Sequence, residues 1–386
     1  MHSSAEKTEN GENMSVKTSI KNGIRDYQDK HLIKARRTYE INKFKDPRRI
    51  AIYSSIELSD KQKRQIDDLY IKNYGEKIPY IWHQHYTAFT GKFDPTYFPE
   101  LLYIPEFEYF MNQNRKYCDV LEDKNVLSMI ANGIGIRTPR VVVSSANGII
   151  RDSCYRSISK DDIPSLLKDT VWFAKPTIES GSGKGCTLLN ARDSNFGDKI
   201  ASLGSDYVIQ EKIICSDSIR ALHPESVNTF RVMTYVWNGG IEIVPLVMRI
   251  GQGDSVLDNA HAGGMFIAID NDGTLHDTAF TEFKQYYNEH PNTHIKFSGY
   301  KIHNIDKVIE SAIKVHSAIP QIGVVNWDFT INKDEEPVLI EANAISGGIW
   351  LFQMAWGCGP FGDKTPEILR WIKKKKDSPL SRREKI

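Results

Sequence analysis

Two short apolar strands in the C-terminal third constrain this chain more than any other feature. Gly323–Ile331 reads GVVNWDFTI and Pro337–Asn343 reads PVLIEAN, with the polar turn Lys333-Asp334-Glu335-Glu336 between them. Strand side chains alternate, so Glu341 and Asn343 share one face. In an antiparallel pair with Asp328 opposite Glu341, all three oxygen-bearing side chains lie on that face. Val325, Trp327, Phe329 and Ile331 then fill the other. Two carboxylates and an amide on one rigid surface suit a hard cation such as Mg2+, which usually arrives with the phosphates of a nucleotide. The same pattern also describes a plain hairpin with one solvated face, and the residues alone leave both readings open.

Further upstream, residues 171–186 read VWFAKPTIESGSGKGC. VWFAK is a β-prone run that delivers Lys175 at its end. Glu179–Gly185 then forms a polar loop with three glycines. Glycine lets backbone N–H groups approach a phosphate, and a neighbouring lysine adds a point charge. The loop is not a Walker A sequence, because Ile178 stands where the first glycine belongs and Gly185 where Ser or Thr belongs. His-Arg-Asp and Asp-Phe-Gly are absent, which excludes a protein-kinase pattern. Alone, the loop also fits an ordinary hairpin tip.

The chain of 386 residues is long enough for two or three compact units. Fifty Lys+Arg against 49 Asp+Glu leave a net charge of +1, which argues against a general nucleic-acid binder. No apolar stretch approaches the length of a bilayer span, and Met1–Asn13 is polar without an apolar signal core. The five cysteines (Cys118, Cys154, Cys186, Cys215 and Cys358) form no Cys-x-x-Cys pair and read as reduced thiols, so a cytoplasmic setting is expected.

Residues 1–15 are expected to form a disordered tail. Ser59 is placed to cap a helix running toward Tyr74. His83 and His85 fall on one side of a possible strand, where a structural role is the ordinary outcome. Asp123 opens a helix that breaks at Gly133–Pro139, and strands follow at Val141–Val143, Tyr207–Ile214, FRVMTYVW and EIVPLVMRI, the last two presenting Arg231 and Arg249. A helix over Asn304–Ala318 leads into the Asp328 strand, and Thr365-Pro366 starts a last helix. Alternating helices and antiparallel hairpins give an α+β class.

In order, LEDKNVL, FAKPTIESGSGKGC, VIQEKII, HPESVNTFRV, RIGQGDSVLDNAHAGGMF and NWDF…LIEAN resemble the ATP-grasp superfamily, in particular its sugar-transfer-associated branch, over roughly residues 95–375. The resemblance implies two α+β subdomains clasping ATP. It places Lys124 and Lys175 on the phosphates, with Gly181, Ser182, Gly183, Lys184 and Gly185 folding over the γ-phosphate. Glu211 would take the adenine amino group, the backbone of Lys212, Ile213 and Ile214 the rest of the purine, and Asp217 the ribose. Asp328, Glu341 and Asn343 would hold Mg2+, and Arg249 would stabilise a developing acyl phosphate. The implied layout is a tail over 1–15, a mixed domain over 16–115, a lysine-bearing segment with the first subdomain over 116–212, and a second subdomain with the metal site and C-terminal helix over 213–386.

The implied activity is ATP-dependent ligation, in which a carboxylate becomes an acyl phosphate that an amine then attacks, possible acceptors being a uronic acid or another polysaccharide-related acid. A phosphotransferase acting on a hydroxyl and a non-catalytic nucleotide-binding module stay open on the same scaffold. Arg231 and Arg249 suit a bidentate carboxylate and phosphate clamp. His261, among small residues, is a candidate base toward the amine. Asn228 and Asn259 are candidates for the acceptor pocket, although each also fits a turn-capping role. The expected partners are small-molecule or sugar-linked acids and amines, with no nucleic acid and an open oligomeric state.

Overall fold

Five β-prone runs between residues 141 and 211 pair into one antiparallel sheet: β1 Val141–Ala146, β2 Ile149–Asp152, β3 Trp172–Pro176, β4 Thr187–Leu189 and β5 Tyr207–Glu211, in the order β2-β1-β5-β3-β4. Their alternate residues Val143, Ala174, Leu189 and Ile209 are buried against Ile163 and Leu167 of the helix Ile163–Leu167. The structure is a computed structural model that describes residues 5–167, 170–178 and 185–378.

A second antiparallel sheet has eight strands: β6 Thr229–Trp237, β7 Gly240–Ile243, β8 Val247–Ile250, β9 Met265–Ala268, β10 Ala279–Phe280, β11 Tyr286–Tyr287, β12 Val324–Ile331 and β13 Pro337–Asn343. Its path is β11-β10-β9-β8-β6-β12-β13, with β7 folded back on β6 through the turn at Asn238 and Gly239, both at positive φ. The expected EIVPLVMRI strand is divided into β7 and β8 around Pro245, which lacks the ladder donor. Val325, Trp327, Phe329 and Ile331 are fully buried and pack with Val308, Ala312 and Val315 of the helix Ile305–Ala318. The Trp327 indole donates to Thr234, which meets His316; burial lowers the His316 pKa to about 4.

The register of β12 against β13 decides the chemistry of the opposite face. Asn326 faces Asn343, Trp327 faces Ala342 and Asp328 faces Glu341; Phe329 then faces Leu339. Ile340 is therefore an extra residue, a bulge beside Glu341. On its other side Asp328 faces Arg231 of β6, and Thr229 of β6 faces Arg249 of β8. One sheet face thus carries Asp328, Glu341, Asn343, Arg231 and Arg249.

The chain divides into two compact units, and both sheets belong to the one formed by Asn112–Gly347 with Met354–Trp356. The other takes the residues up to Met111, Gly348–Gln353 and Gly357 onward. The last helix, Thr365–Asp377, falls in the unit that holds the N-terminal residues, while β12 and β13 fall in the other. The first helix runs Ala5–Lys43 and takes in most of the stretch expected to be a tail; it is rich in Lys and Glu and meets no proline before Pro47. Ser59 caps the helix Asp60–Asn73 as expected, in a capping box with Gln62. His83 and His85 lie not on a strand but in the helix Ile81–Thr90, fully buried among Phe44, Tyr70, Tyr97 and Phe89. No helix among the described residues is long and apolar enough to cross a membrane.

Candidate active site

Asp123 accepts from the N–H groups of Asn125 and Val126 and so starts the helix Lys124–Gly133. The Lys124 N–H donates to Thr177 O at 3.0 Å, just beyond the end of β3. That bond fixes the helix start beside Lys175. The Lys124 ammonium reaches across to Glu341, with Nζ 3.0 Å from Oε1. Both lysines are buried. Burial, and then the charge of Lys124, lowers the Lys175 pKa to about 8 against the pull of Glu341, Cys186 and Asp328. Burial pushes the Glu341 carboxyl up, but Lys124, Lys175 and Arg231 outweigh it and hold it below its ordinary range.

The arginines meet at Asp328, which is 3% exposed. Arg231 Nε lies 2.7 Å from Asp328 Oδ1 and Arg249 Nη2 lies 3.0 Å from Oδ2. On its far side Arg249 is 3.6 Å from the buried Asp258, whose carboxyl is pushed up by burial and drawn down by Arg249. Asn343 Nδ2 stands 3.5 Å from Asp328 Oδ2. Around this one face lie the cations Lys124, Lys175, Arg231 and Arg249 and the anions Asp258, Asp328 and Glu341.

The donor set of Asp328, Glu341 and Asn343 is all hard oxygen once the Asn343 amide turns its oxygen inward. Two buried oxygens on this face, Asp328 Oδ1 and Asn326 Oδ1, make no hydrogen bond with the described residues. Asp328 Oδ1 is met there only by its ion pair with Arg231, and an all-oxygen donor set of this kind fits a hard divalent ion.

The remaining expected positions divide. Gly181, Ser182, Gly183 and Lys184 lie outside the described residues. Gly185 is described, at φ +75°, and a Cβ there would stand 2.9 Å from Pro176 Cγ, so the position favours glycine. Glu211 ends β5; its carboxylate accepts from the Arg140 N–H at 3.0 Å. Lys212, Ile213 and Ile214 follow directly, and Ile214 O accepts from the Lys333 N–H. Asp217 is exposed and pairs with Arg220 at 2.8 Å. Asn259 Oδ1 caps the short turn Ala260–Ala262 by accepting from the His261 N–H. Asn228 does not line a pocket. It is fully buried, with Oδ1 accepting from Ser226 Oγ and Gly251 N and Nδ2 donating to Ile219 O and His223 O. Its amide closes the chain turn before β6.

Three residues of this region escaped sequence reasoning. Glu282, buried, accepts from the half-exposed His261 ring, Nδ1 to Oε2 at 2.7 Å. Glu122 Oε1 accepts from the N–H groups of Ala344 and Ile345 and ties the lysine-bearing segment to the chain leaving β13. Asp258 backs Arg249. None carries a spacing signal; Glu122 stands inside the LEDKNVL run and was the most accessible of the three.

Fold and site together define an α+β protein that gathers buried cations and hard oxygen donors on one sheet face. A profile of the sugar-transfer associated ATP-grasp family matches residues 104–365, and the chain belongs to that family. Its fold is the ATP-grasp fold. Similar solved structures include D-alanyl-alanine synthetase A from Vibrio cholerae O1, 13% identical over 66% of this chain and 64% of that one, with a TM-score of 0.39. VanG D-Ala:D-Ser ligase from Enterococcus faecalis is 12% identical over 67% and 62%, with a TM-score of 0.39. N5-carboxyaminoimidazole synthase from Aspergillus clavatus, solved with ADP and 5-aminoimidazole ribonucleotide, is 12% identical over 60% and 47%, with a TM-score of 0.37. The chain spans less than two thirds of the length of each of these three structures. No curated protein matches it.

Proposed function

We propose that the protein is an ATP-dependent ligase that activates a carboxylate as an acyl phosphate and passes the acyl group to an amine, with a uronic acid or other polysaccharide-related acid as the activated substrate. One observation supports this reading above the others: the buried Lys124, Lys175 and Arg249, the part-buried Arg231 and the Asp328/Glu341 carboxylates converge on a single face of the second sheet. Joining a carboxylate to a triphosphate brings like charges together, and fixed cations offset that repulsion where water is excluded. Lys124 and Lys175 would hold the phosphates of ATP, and Asp328, Glu341 and Asn343 would hold Mg2+, whose charge polarises the γ-phosphate. The chain from Glu211 to Ile214 would carry the purine edge.

In the first step a carboxylate oxygen of the substrate forms a bond to the γ-phosphorus, and the bond to the β-bridging oxygen breaks, releasing ADP. Arg249 faces the charge that develops on the transferred phosphoryl group. In the second step the amine nitrogen attacks the acyl carbon, the C–O bond to phosphate breaks, and the nitrogen loses a proton. His261, oriented by Glu282, is the candidate for receiving that proton. The test is incubation with ATP, Mg2+, hydroxylamine and a panel of uronic acids. A hydroxamate, lost in Asp328→Ala and Glu341→Ala, supports the ligase. A stable phosphorylated acceptor with no hydroxamate overturns it in favour of phosphotransfer to a hydroxyl.

A further inference from the structure

The first helix, Ala5–Lys43, has an apolar stripe on the side that the core does not use. Its core side is marked by the buried Ile33 and Glu40, by Arg37 paired with Glu106, and by Asp29 accepting from the Tyr109 hydroxyl. At about 100° per residue, Ile20, Ile24, Tyr27 and His31 fall in one stripe on the opposite side. Water reaches them: Ile20 is 59% exposed, Ile24 54% and Tyr27 71%. His31 is exposed as well, with its ring 6.4 Å from that of Tyr27. A single exposed apolar side chain needs no explanation, but three large ones aligned over two turns do.

The charges beside the stripe have one sign. Lys21 and then Arg25 lie to one side of it, Lys34 and then Lys30 to the other. All four are exposed, and none makes a side-chain hydrogen bond or ion pair among the described residues. The two acids of the same span, Asp26 and Asp29, turn toward the core side and are half-buried. The whole chain carries a net charge of only +1, so the basic rim is a local feature. We propose that this helix face lies against an anionic lipid bilayer surface. Ile20, Ile24 and Tyr27 enter the boundary between headgroups and acyl chains, and the cations reach the lipid phosphates on their flexible stems. A second copy of this chain suits the face less well. Two basic rims repel each other, and three side chains fall far short of the about 800 Å² that each partner of a stable pair buries. The contact is peripheral, since no helix among the described residues is long and apolar enough to cross a membrane. It belongs to the compact unit of the N-terminal residues and does not depend on the ligase reading.

The test is sedimentation of the full chain with sucrose-loaded vesicles, made of phosphatidylcholine alone or of equimolar phosphatidylcholine and phosphatidylglycerol. The protein should bind the anionic vesicles, less as salt is added, and leave the neutral ones in suspension. Lys21→Gln with Arg25→Gln should weaken binding about 25-fold, at about fivefold for each cation. Ile20→Ser with Ile24→Ser should weaken it too, while thermal unfolding stays unchanged because both side chains are exposed. Lys373→Gln with Lys374→Gln, which removes two exposed lysines of the last helix, should leave binding as it is. Failure to bind the anionic vesicles, or binding that either first-helix variant leaves intact, overturns the proposal. So does an equal loss in the Lys373/Lys374 variant, which would mean diffuse charge and no defined face. A lipid-free dimer in sedimentation velocity that the Ile20/Ile24 variant abolishes also overturns it, in favour of a second copy on the stripe.

Discussion

Lys175→Met should make the free protein more stable while abolishing its turnover of ATP. Lys175 ends β3 with its side chain buried, and burial together with Lys124 brings its pKa from an ordinary 10.5 to about 8. At about 1.4 kcal/mol for each tenfold displacement, keeping the ammonium charged at neutral pH costs ~3 kcal/mol. The sign follows from proton binding. The folded protein binds this proton more weakly than the unfolded chain does, so stability rises with pH between about 8 and 10.5. Below the folded pKa both states hold the proton and the full penalty is present; above the unfolded value both have lost it and the penalty is gone. Methionine fills a similar volume without the charge, and Glu341 keeps Lys124 at 3.0 Å as its counter-ion.

The expected gain at pH 7 is therefore up to ~3 kcal/mol, closing toward zero by pH 10.5. Urea unfolding of wild type and variant at pH 7 and pH 10, followed by tryptophan fluorescence, measures the gap at both ends, and any titration common to the two proteins cancels in the difference. A variant no more stable than wild type at pH 7, or a gap that does not change with pH, would refute the reasoning. It would mean that Lys175 is not held against its own solvation.

Gly185→Ala should lower ATP turnover and cost roughly 1–2 kcal/mol of stability, because the left-handed backbone and the approach to Pro176 both resist a Cβ; thermal unfolding and an ATPase assay read the two effects. Asn228→Leu should destabilise by ~3 kcal/mol, since it strips partners from Ser226, Gly251, Ile219 and His223 in a fully buried site. Recovery of wild-type denaturant midpoints in that variant would mean that the amide does not hold the turn.

Much of the site was legible because strands have a fixed period. Once Asp328 and Glu341 are placed opposite each other, alternation puts Asn343 with them and sends Val325, Trp327, Phe329 and Ile331 to the core, which is how the sheet is built. The bulge at Ile340 was not legible, because nothing in PVLIEAN marks an extra residue, yet it falls between Glu341 and the rest of the ladder without disturbing the Asp328 pairing. Local context failed where a helix and a strand offer the same apolar residues. His83 and His85 alternate as on a strand, but Phe44, Tyr70 and Tyr97 from distant positions surround them on a helix, and packing overrides the pattern.

The partners of the functional residues were the least legible part, for a physical reason. The candidate ligand set is written on one hairpin, with Asp328 on β12 opposite Glu341 on β13 and Asn343 two residues further along β13. The groups that tune that set come from other elements: Lys124 from a helix start, Arg249 from β8, Asp258 from the loop beyond it, and Glu282 past β10. Their positions are fixed by the register of neighbouring strands, and a shift of one residue in β6 would turn Arg231 to the core face and take it away from Asp328. Burying Phe230, Val232, Phe329 and Ile331 fixes the register, and the register in turn sets which charges meet. The hydrophobic core of the second sheet is thus a condition of its electrostatics, and a substitution such as Phe230→Ala would disturb the Arg231–Asp328 pairing without touching either residue.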